Sequence, residues 1–193
     1  MQRLVWGGVF GILSACTFGQ LNDDEFHYYT YANTAHSLLI LGSSESRIGG
    51  GFGLAIGRRD PKLRLLRKIE GELIWEGYYE VTNTKNPSAQ YPATHYEQFG
   101  VLVTTRYRWQ FGREMNFYED VGFGLQFTNH TSDDLRLSNN TTPVLGMGME
   151  FTSAHGTSFL IGTRVLHASN AGRTRPNPGQ NLLEFYVGYR YKH

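Results

Sequence analysis

Apolar and polar residues alternate along most of this chain, in segments separated by polar or Gly- and Pro-containing turns. Successive side chains of a strand point to opposite faces, so the pattern predicts β-strands. It begins at about Ala35 and predicts eight strands, over 35–41, 48–58, 65–82, 97–111, 117–128, 143–152, 158–170 and 182–192. The stretch 58–62 is predicted to be a turn, and the polar stretches 83–94 and 129–142 are predicted to be loops.

The two faces of each predicted strand differ in composition. In the fourth strand, one face carries Phe99, Val101, Val103, Thr105, Tyr107, Trp109 and Phe111. The opposite face carries glycine and charge. Charged residues on such polar faces are candidates for an interior network of ion pairs: Glu70, Glu72, Glu76, Arg106, Arg108, Asp120, Arg164, Glu184 and Arg190.

A soluble β-sandwich would show the same alternation, with its apolar face turned inward. Three features favour a membrane barrel instead: the even number of strands, aromatic residues near strand ends, and charges of both signs that could pair in a narrow lumen. The length of the strand at 65–82 also suits a tilted membrane crossing. We therefore predict an all-β fold, an eight-stranded antiparallel transmembrane β-barrel. A barrel of this size is filled by its own side chains and is not a pore.

The N-terminal residues resemble a secretory signal peptide. Arg3 precedes an apolar run and small residues near Ala15 and Gly19, which predicts a leader at residues 1–19 followed by one barrel domain at 20–193. An alternative is a lipoprotein signal that ends before Cys16 and leaves that residue acylated. Export and an alternating barrel together indicate the outer membrane of a Gram-negative bacterium.

Composition excludes some classes of function. The formal charge of +1 provides no basic surface for nucleic acid, so we expect no nucleic-acid partner. The seven histidines are scattered without the spacing of metal ligands, and no metal or cofactor is predicted. The sequence does not decide whether the protein forms a homodimer.

His167 and Ser169 interrupt the apolar face of the seventh strand near its end. At this spacing an imidazole can take the proton of a hydroxyl as that hydroxyl attacks, which is chemistry suited to acyl transfer. The alternative is that both residues only mark the membrane interface, where polar side chains are common.

The surrounding residues favour the catalytic alternative. The stretch HASNAGRTRPNPGQN, at 167–181, resembles the His-x-Ser-Asn-Ala-Gly signature and following Pro-Asn-x-Gly turn of the outer-membrane lipid A 3-O-deacylases, the PagL family of acyloxyacyl hydrolases. The resemblance implies a serine esterase with its site on the lipid-facing surface of the barrel. Ser169 would be the nucleophile and His167 the general base, and the backbone amides of Asn170 and Gly172 would form the oxyanion hole. The implied substrate is lipid A in lipopolysaccharide, surrounded by outer-membrane lipids.

One position departs from the family pattern. The family places a Glu fourteen residues after the His, and this chain has Asn181 there. Glu184 is the alternative third member, but its parity predicts the opposite face. An Asn can hold the imidazole tautomer without adding negative charge, and a Glu at 181 would restore the charge that the family uses.

Two other functions are compatible with the sequence. A non-catalytic barrel could have a structural role or bind a partner through the loops 83–94 and 129–142, and Asn181 is the feature that most favours it. A soluble periplasmic β-domain is the third interpretation, which membrane fractionation would distinguish.

Overall fold

The computed structural model describes residues 26–65, 69–153 and 156–192. Its strands are β1 (Phe26–Ser37), β2 (Arg47–Leu65), β3 (Ile69–Thr84), β4 (His95–Gln110), β5 (Met115–Thr128), β6 (Asn139–Thr152), β7 (Ser158–Ala168) and β8 (Gln180–Lys192). Each strand pairs antiparallel with the next, and β8 pairs with β1. The predicted closed antiparallel barrel of eight strands is therefore confirmed. Among the described residues, no helix has the length and apolar character needed to cross a membrane.

The predicted N-terminal leader lies outside the described residues. This applies both to the signal peptide at 1–19 and to the lipoprotein alternative at Cys16. The assignment of 20–193 to one domain stays a prediction.

The first strand differs from its prediction. β1 covers Phe26–Ser37, whereas the alternation predicted a strand over 35–41. Tyr29 and Tyr31 point inward and are buried, while Tyr28 points outward and is exposed. Because aromatic residues occupy both faces of β1, the strand has little polar contrast, and its first half gave no alternating signal.

Residues 38–41 belong to the connection after β1. Leu39, Ile40 and Leu41 are exposed, and Leu41 has a φ of 53°, in the left-handed region that extended strands do not use. A continuous apolar run carries no period, so the sequence could not show that the strand had ended.

Three other boundaries are corrected by strand pairing. The predicted turn at 58–62 lies inside β2, where the register with β3 shifts between Asp60 and Arg64 and Pro61 lies in the irregular stretch. The strand predicted at 65–82 is β3, from Ile69 to Thr84. The last four residues of the loop predicted at 129–142 belong to β6, because they pair with β5 although their side chains are all polar.

Charges fill the lumen as pairs. Arg106 donates two hydrogen bonds to the carboxylate of Asp120, each of 2.7 Å. Arg164 donates to Glu184 at 2.6 Å and to Glu76 at 2.8 Å. These five residues are buried, as the strand parity predicted.

A second group of lumen charges lies nearer the end of the barrel where β4 connects to β5. Arg108 donates to Glu150 at 2.6 Å and also to Glu72, and Arg190 pairs with Glu150 at 2.5 Å. Glu150 belongs to this network although its strand gave no sequence signal for it. The Glu70 side chain lies outside the described part of the structure.

The outer surface of the barrel is apolar. Side chains that are more than half exposed include Phe52, Leu54, Val121, Phe123, Leu145 and Phe185. Water-exposed surfaces of soluble proteins rarely carry so continuous an apolar area, whereas the outer band of a membrane barrel does.

Because neighbouring strands run in opposite directions, successive connections alternate between the two ends of the barrel. The connections at 38–46, 85–94, 129–138 and 169–179 share one end, which we name the long-loop end. The motif of the seventh strand runs into the last of them, so the candidate site lies at the long-loop end.

Candidate active site

His167 lies on the outer face of β7, and its register partner on β8 is Asn181. Imidazole Nδ1 and the Asn181 side-chain oxygen Oδ1 are 2.7 Å apart. An amide oxygen can only accept, so Nδ1 carries the proton and donates it. The other ring nitrogen, Nε2, then has a free lone pair, which is the tautomer that a general base needs.

The orientation of the Asn181 amide is fixed by a second bond. Its Nδ2 donates to the backbone oxygen of Ile40 at 2.8 Å. A backbone carbonyl only accepts, so nitrogen must face Ile40 and oxygen must face His167. Asn181 is 1% exposed although it lies on the outer face, because the connection at 38–46 covers it.

Gly179 packs against the imidazole. It has a φ of +73°, and a Cβ built on it would lie 2.6 Å from Cε1 and 3.1 Å from Nε2 of His167. Glycine is therefore required at this position both by the backbone conformation and by the ring.

Ser169 follows β7 and is held by β6. Its N–H donates to the Thr141 oxygen at 3.0 Å, and its own carbonyl oxygen accepts from Thr141 N at 2.8 Å and from Thr141 Oγ1 at 3.1 Å. In the part of the chain that the structure describes, no hydrogen bond joins the Ser169 hydroxyl to His167. The two residues share a face at a spacing of about 6.6 Å along the strand, and catalytic hydrogen bonds of this kind often shorten only when substrate binds.

The two expected oxyanion donors differ in their surroundings. The N–H of Asn170 donates to the side-chain oxygen of Asn177 at 3.1 Å and is therefore occupied. Ala171 and Gly172 have φ values of 54° and 77°, so the chain turns sharply after Asn170. The Gly172 N–H has no hydrogen-bond acceptor among the described residues, and the space beside its Cα is open.

The turn after Ser169 is stabilised by its own side chains. Asn170 is buried, and its Nδ2 donates to Thr174 Oγ1 at 2.7 Å. Arg173 donates to the Asn170 carbonyl from its backbone N at 3.2 Å and from its Nε at 2.9 Å. The conformation of residues 170–174 is thus set locally.

Glu184, the alternative third member, is fully buried in the lumen and bound to Arg164. The barrel wall separates it from His167. The geometry therefore brings Asn181 to the imidazole and keeps Glu184 away from it. Among the described residues, no cluster of His, Cys, Asp or Glu has the arrangement of a metal site.

Comparison with known proteins agrees with this fold. Residues 48–190, more than half of the chain, match the family model described as lipid A 3-O-deacylase (PagL). The crystal structure of the outer membrane enzyme PagL is 19% identical, with a TM-score of 0.57, and the match covers 84% of this chain and 97% of that one. The crystal structure of Neisserial surface protein A is 16% identical, with a TM-score of 0.59, covering 87% of this chain and 97% of that one. No curated protein matches the chain significantly.

Proposed function

Because the chain belongs to the lipid A 3-O-deacylase (PagL) family, we propose that it is an outer-membrane serine esterase that removes the ester-linked acyl chain at the 3-position of lipid A. The observation that carries this proposal is the 2.7 Å hydrogen bond between His167 and Asn181 on the outer face of the barrel, two residues from Ser169. It leaves the Nε2 lone pair free to act as a base on the outer face of the barrel, where a lipid substrate would bind.

In the proposed first step, Ser169 Oγ attacks the ester carbonyl carbon while His167 Nε2 takes the hydroxyl proton. The carbonyl oxygen becomes an oxyanion, which the Gly172 N–H stabilises. The Asn170 N–H joins it if the Asn177 side chain turns away. The imidazolium then gives its proton to the 3-oxygen of the sugar, the C–O bond breaks, and the acyl group remains on Ser169.

The second step repeats this chemistry with water. His167 takes a proton from a water molecule, which attacks the acyl-enzyme and releases a fatty acid, and the proton returns to Ser169. The products are a free carboxylic acid and lipid A with a 3-hydroxyl group. Asn181 holds the imidazole through both steps but supplies only a dipole, so imidazolium is stabilised less than it would be by a carboxylate.

The apolar outer surface supports a location in the outer membrane. His167 lies at the end of an apolar stripe that includes Ile161 and Val165, so acyl chains of lipopolysaccharide and neighbouring lipids can reach it from the side. A substrate that approaches within the bilayer does not have to enter the filled lumen.

A non-catalytic surface barrel is the second candidate. The observations that favour it are the missing bond between Ser169 and His167 and the Asn at position 181. Neisserial surface protein A has a similar fold, which shows that this architecture is not restricted to the solved PagL enzyme.

Substitution of Ser169 and His167 tests the proposal. Ser169→Ala and His167→Ala should each lower the rate of deacylation about 10⁴-fold or more, and the double variant should be scarcely worse, because the two side chains act as a unit. The measurement is mass spectrometry of lipid A incubated with each purified, folded variant.

Ser138→Ala is the matched control, since Ser138 is exposed at the same end of the barrel. It should keep wild-type activity. Wild-type turnover by Ser169→Ala would reject Ser169 as the nucleophile, whereas no turnover by the folded wild-type protein would favour the non-catalytic barrel.

A further inference from the structure

The connection between β1 and β2, at 38–46, reaches the candidate site from a strand that carries none of the sequence motif. It continues the β1–β8 ladder by one bond, from Leu38 N to the Asn181 carbonyl oxygen at 2.9 Å. It then crosses the outer face, where the Ile40 carbonyl accepts from Asn181 Nδ2 at 2.8 Å. Asn181 is thus bonded to the connection through both its backbone and its side chain.

The Ile40 carbonyl is held in position by the rest of the connection. It also accepts from Ser43 N at 3.1 Å. The following residues are tied to Asp134 of the β5–β6 connection, which accepts from Ser43 Oγ at 2.7 Å, from Ser44 N at 2.9 Å and from Glu45 N at 3.0 Å. Asp134 is 1% exposed, so these bonds are shielded from water.

We propose that the β1–β2 connection is a positioning element of the esterase site. The Ile40 carbonyl orients the Asn181 amide toward His167, and it makes an amide, rather than the carboxylate of related enzymes, the group that fits at position 181. This inference rests on the proposed function and identifies what holds its third residue in place.

The chemistry follows from donors and acceptors. Asn181 offers a donor to Ile40 and an acceptor to His167, and so satisfies both partners. A carboxylate offers only acceptors, so one of its oxygens would face the Ile40 oxygen without a hydrogen between them, at a site closed to water. Glu would add a methylene group to the same space. The proposal therefore predicts that Glu at 181, although it restores the charge that the family uses, lowers activity in this chain.

A neutral carboxylic acid would behave like the amide, because its O–H can donate to Ile40 while its carbonyl oxygen accepts from the imidazole. Among the described residues, the titratable side chains at outward register positions beside Asn181 are His167 of β7 and His36 of β1, whose register partner is Leu183. The covering connection contributes apolar side chains there. An acid at 181 therefore introduces a new ionisation into the site.

The test compares kcat, KM and their pH dependence for Asn181→Asp and Asn181→Glu on lipid A in detergent micelles. We expect kcat at neutral pH to fall at least tenfold with little change in KM, since the imidazole is misdirected but the binding surface is intact. The kcat optimum of Asn181→Asp should move to lower pH, where the acid is neutral. A residue with a purely structural role would not move the optimum.

A second experiment frees the β1–β2 connection by removing its bonds to Asp134. Asp134→Ala should lower kcat in the wild-type background. The loss of kcat should be smaller in the Asn181→Asp background, where the freed Ile40 carbonyl can move away from the carboxylate. Asp133→Ala is the matched control, because its side chain pairs with Arg136, at 3.7 Å, and its loss should leave kcat unchanged.

Two results would overturn the inference: acid variants as active as wild type with the Asp134 bonds intact, or an unchanged pH optimum in Asn181→Asp. If Asp134→Ala fails to fold, the two substitutions at Asn181 still test the inference. An inactive wild-type protein would reject the proposed function itself, and this inference with it.

Discussion

At the residue scale, one methyl group added at Gly179 should lower activity by displacing the imidazole of His167. A Cβ there meets the His167 ring at 2.6 Å, so Gly179→Ala should displace the imidazole from Ser169. A displacement of about 1 Å can cost roughly 10²-fold in rate, and we expect a loss of that order in lipid A deacylation.

Gly112→Ala separates this effect from backbone strain. Gly112 has a similar φ of +93°, but apart from Gly112 and its two chain neighbours no described residue has an atom within 4 Å of the place that a Cβ would take. It also lies at the opposite end of the barrel, between β4 and β5. Gly112→Ala should destabilise the barrel slightly and leave turnover unchanged. Equal losses in both variants would mean that ring displacement is not the cause.

The sequence indicated the side chains of the candidate site but not the groups that hold them. His167 and Ser169 were visible because they are polar residues on an apolar stripe, and Asn181 because its spacing matches a family pattern. Ile40 and Thr141 gave no signal, since Ile40 acts only through its carbonyl and Thr141 holds Ser169 mainly through two backbone bonds, which almost any side chain leaves unchanged.

At the element scale, the pairing of β7 with β8 separates a lumen charge from the site. Glu184→Gln leaves Arg164 bound to Glu76, so we expect the free energy of unfolding to fall by roughly 1–3 kcal/mol, less than for a buried charge with no partner. Lipid A deacylation should persist. Both quantities are measurable on one preparation, by urea unfolding and mass spectrometry.

The matched control is Glu97→Gln, an exposed carboxylate on β4, which should change neither quantity. If Glu184→Gln keeps its stability but loses hydrolysis, then Glu184 serves the site and the strand parity assigned to it is wrong.

Strand parity could be predicted better than strand ends. Alternation correctly predicted that Arg106, Asp120 and Arg164 point inward, because the polar face of each strand lines the lumen and these charges pair there. The ends of β1 and β6 were missed, since their pairing depends on neighbours distant in sequence. β1 has tyrosines on both faces and β6 begins with four polar residues, so neither end shows a contrast.

At the scale of the whole molecule, closure of the sheet should make the barrel resistant to detergent. Every strand is paired on both sides, so no edge is open to attack. Unheated protein should therefore migrate faster on a detergent gel than boiled protein. Equal mobility of the two samples, in protein shown to be folded by circular dichroism, would contradict a closed barrel.

The ladder between β1 and β8 joins the first and last strands of the described chain and closes the barrel. The pairing spans most of the sequence, so it is a contact of high sequence separation and is slow to form. The imidazole of β7 meets its partner only when β8 is in place, and that partner meets Ile40 only when β1 lies alongside. The bonds that join His167, Asn181 and Ile40 therefore form only in the closed barrel, so the proposed site is incomplete in a chain whose β1 and β8 have not yet paired.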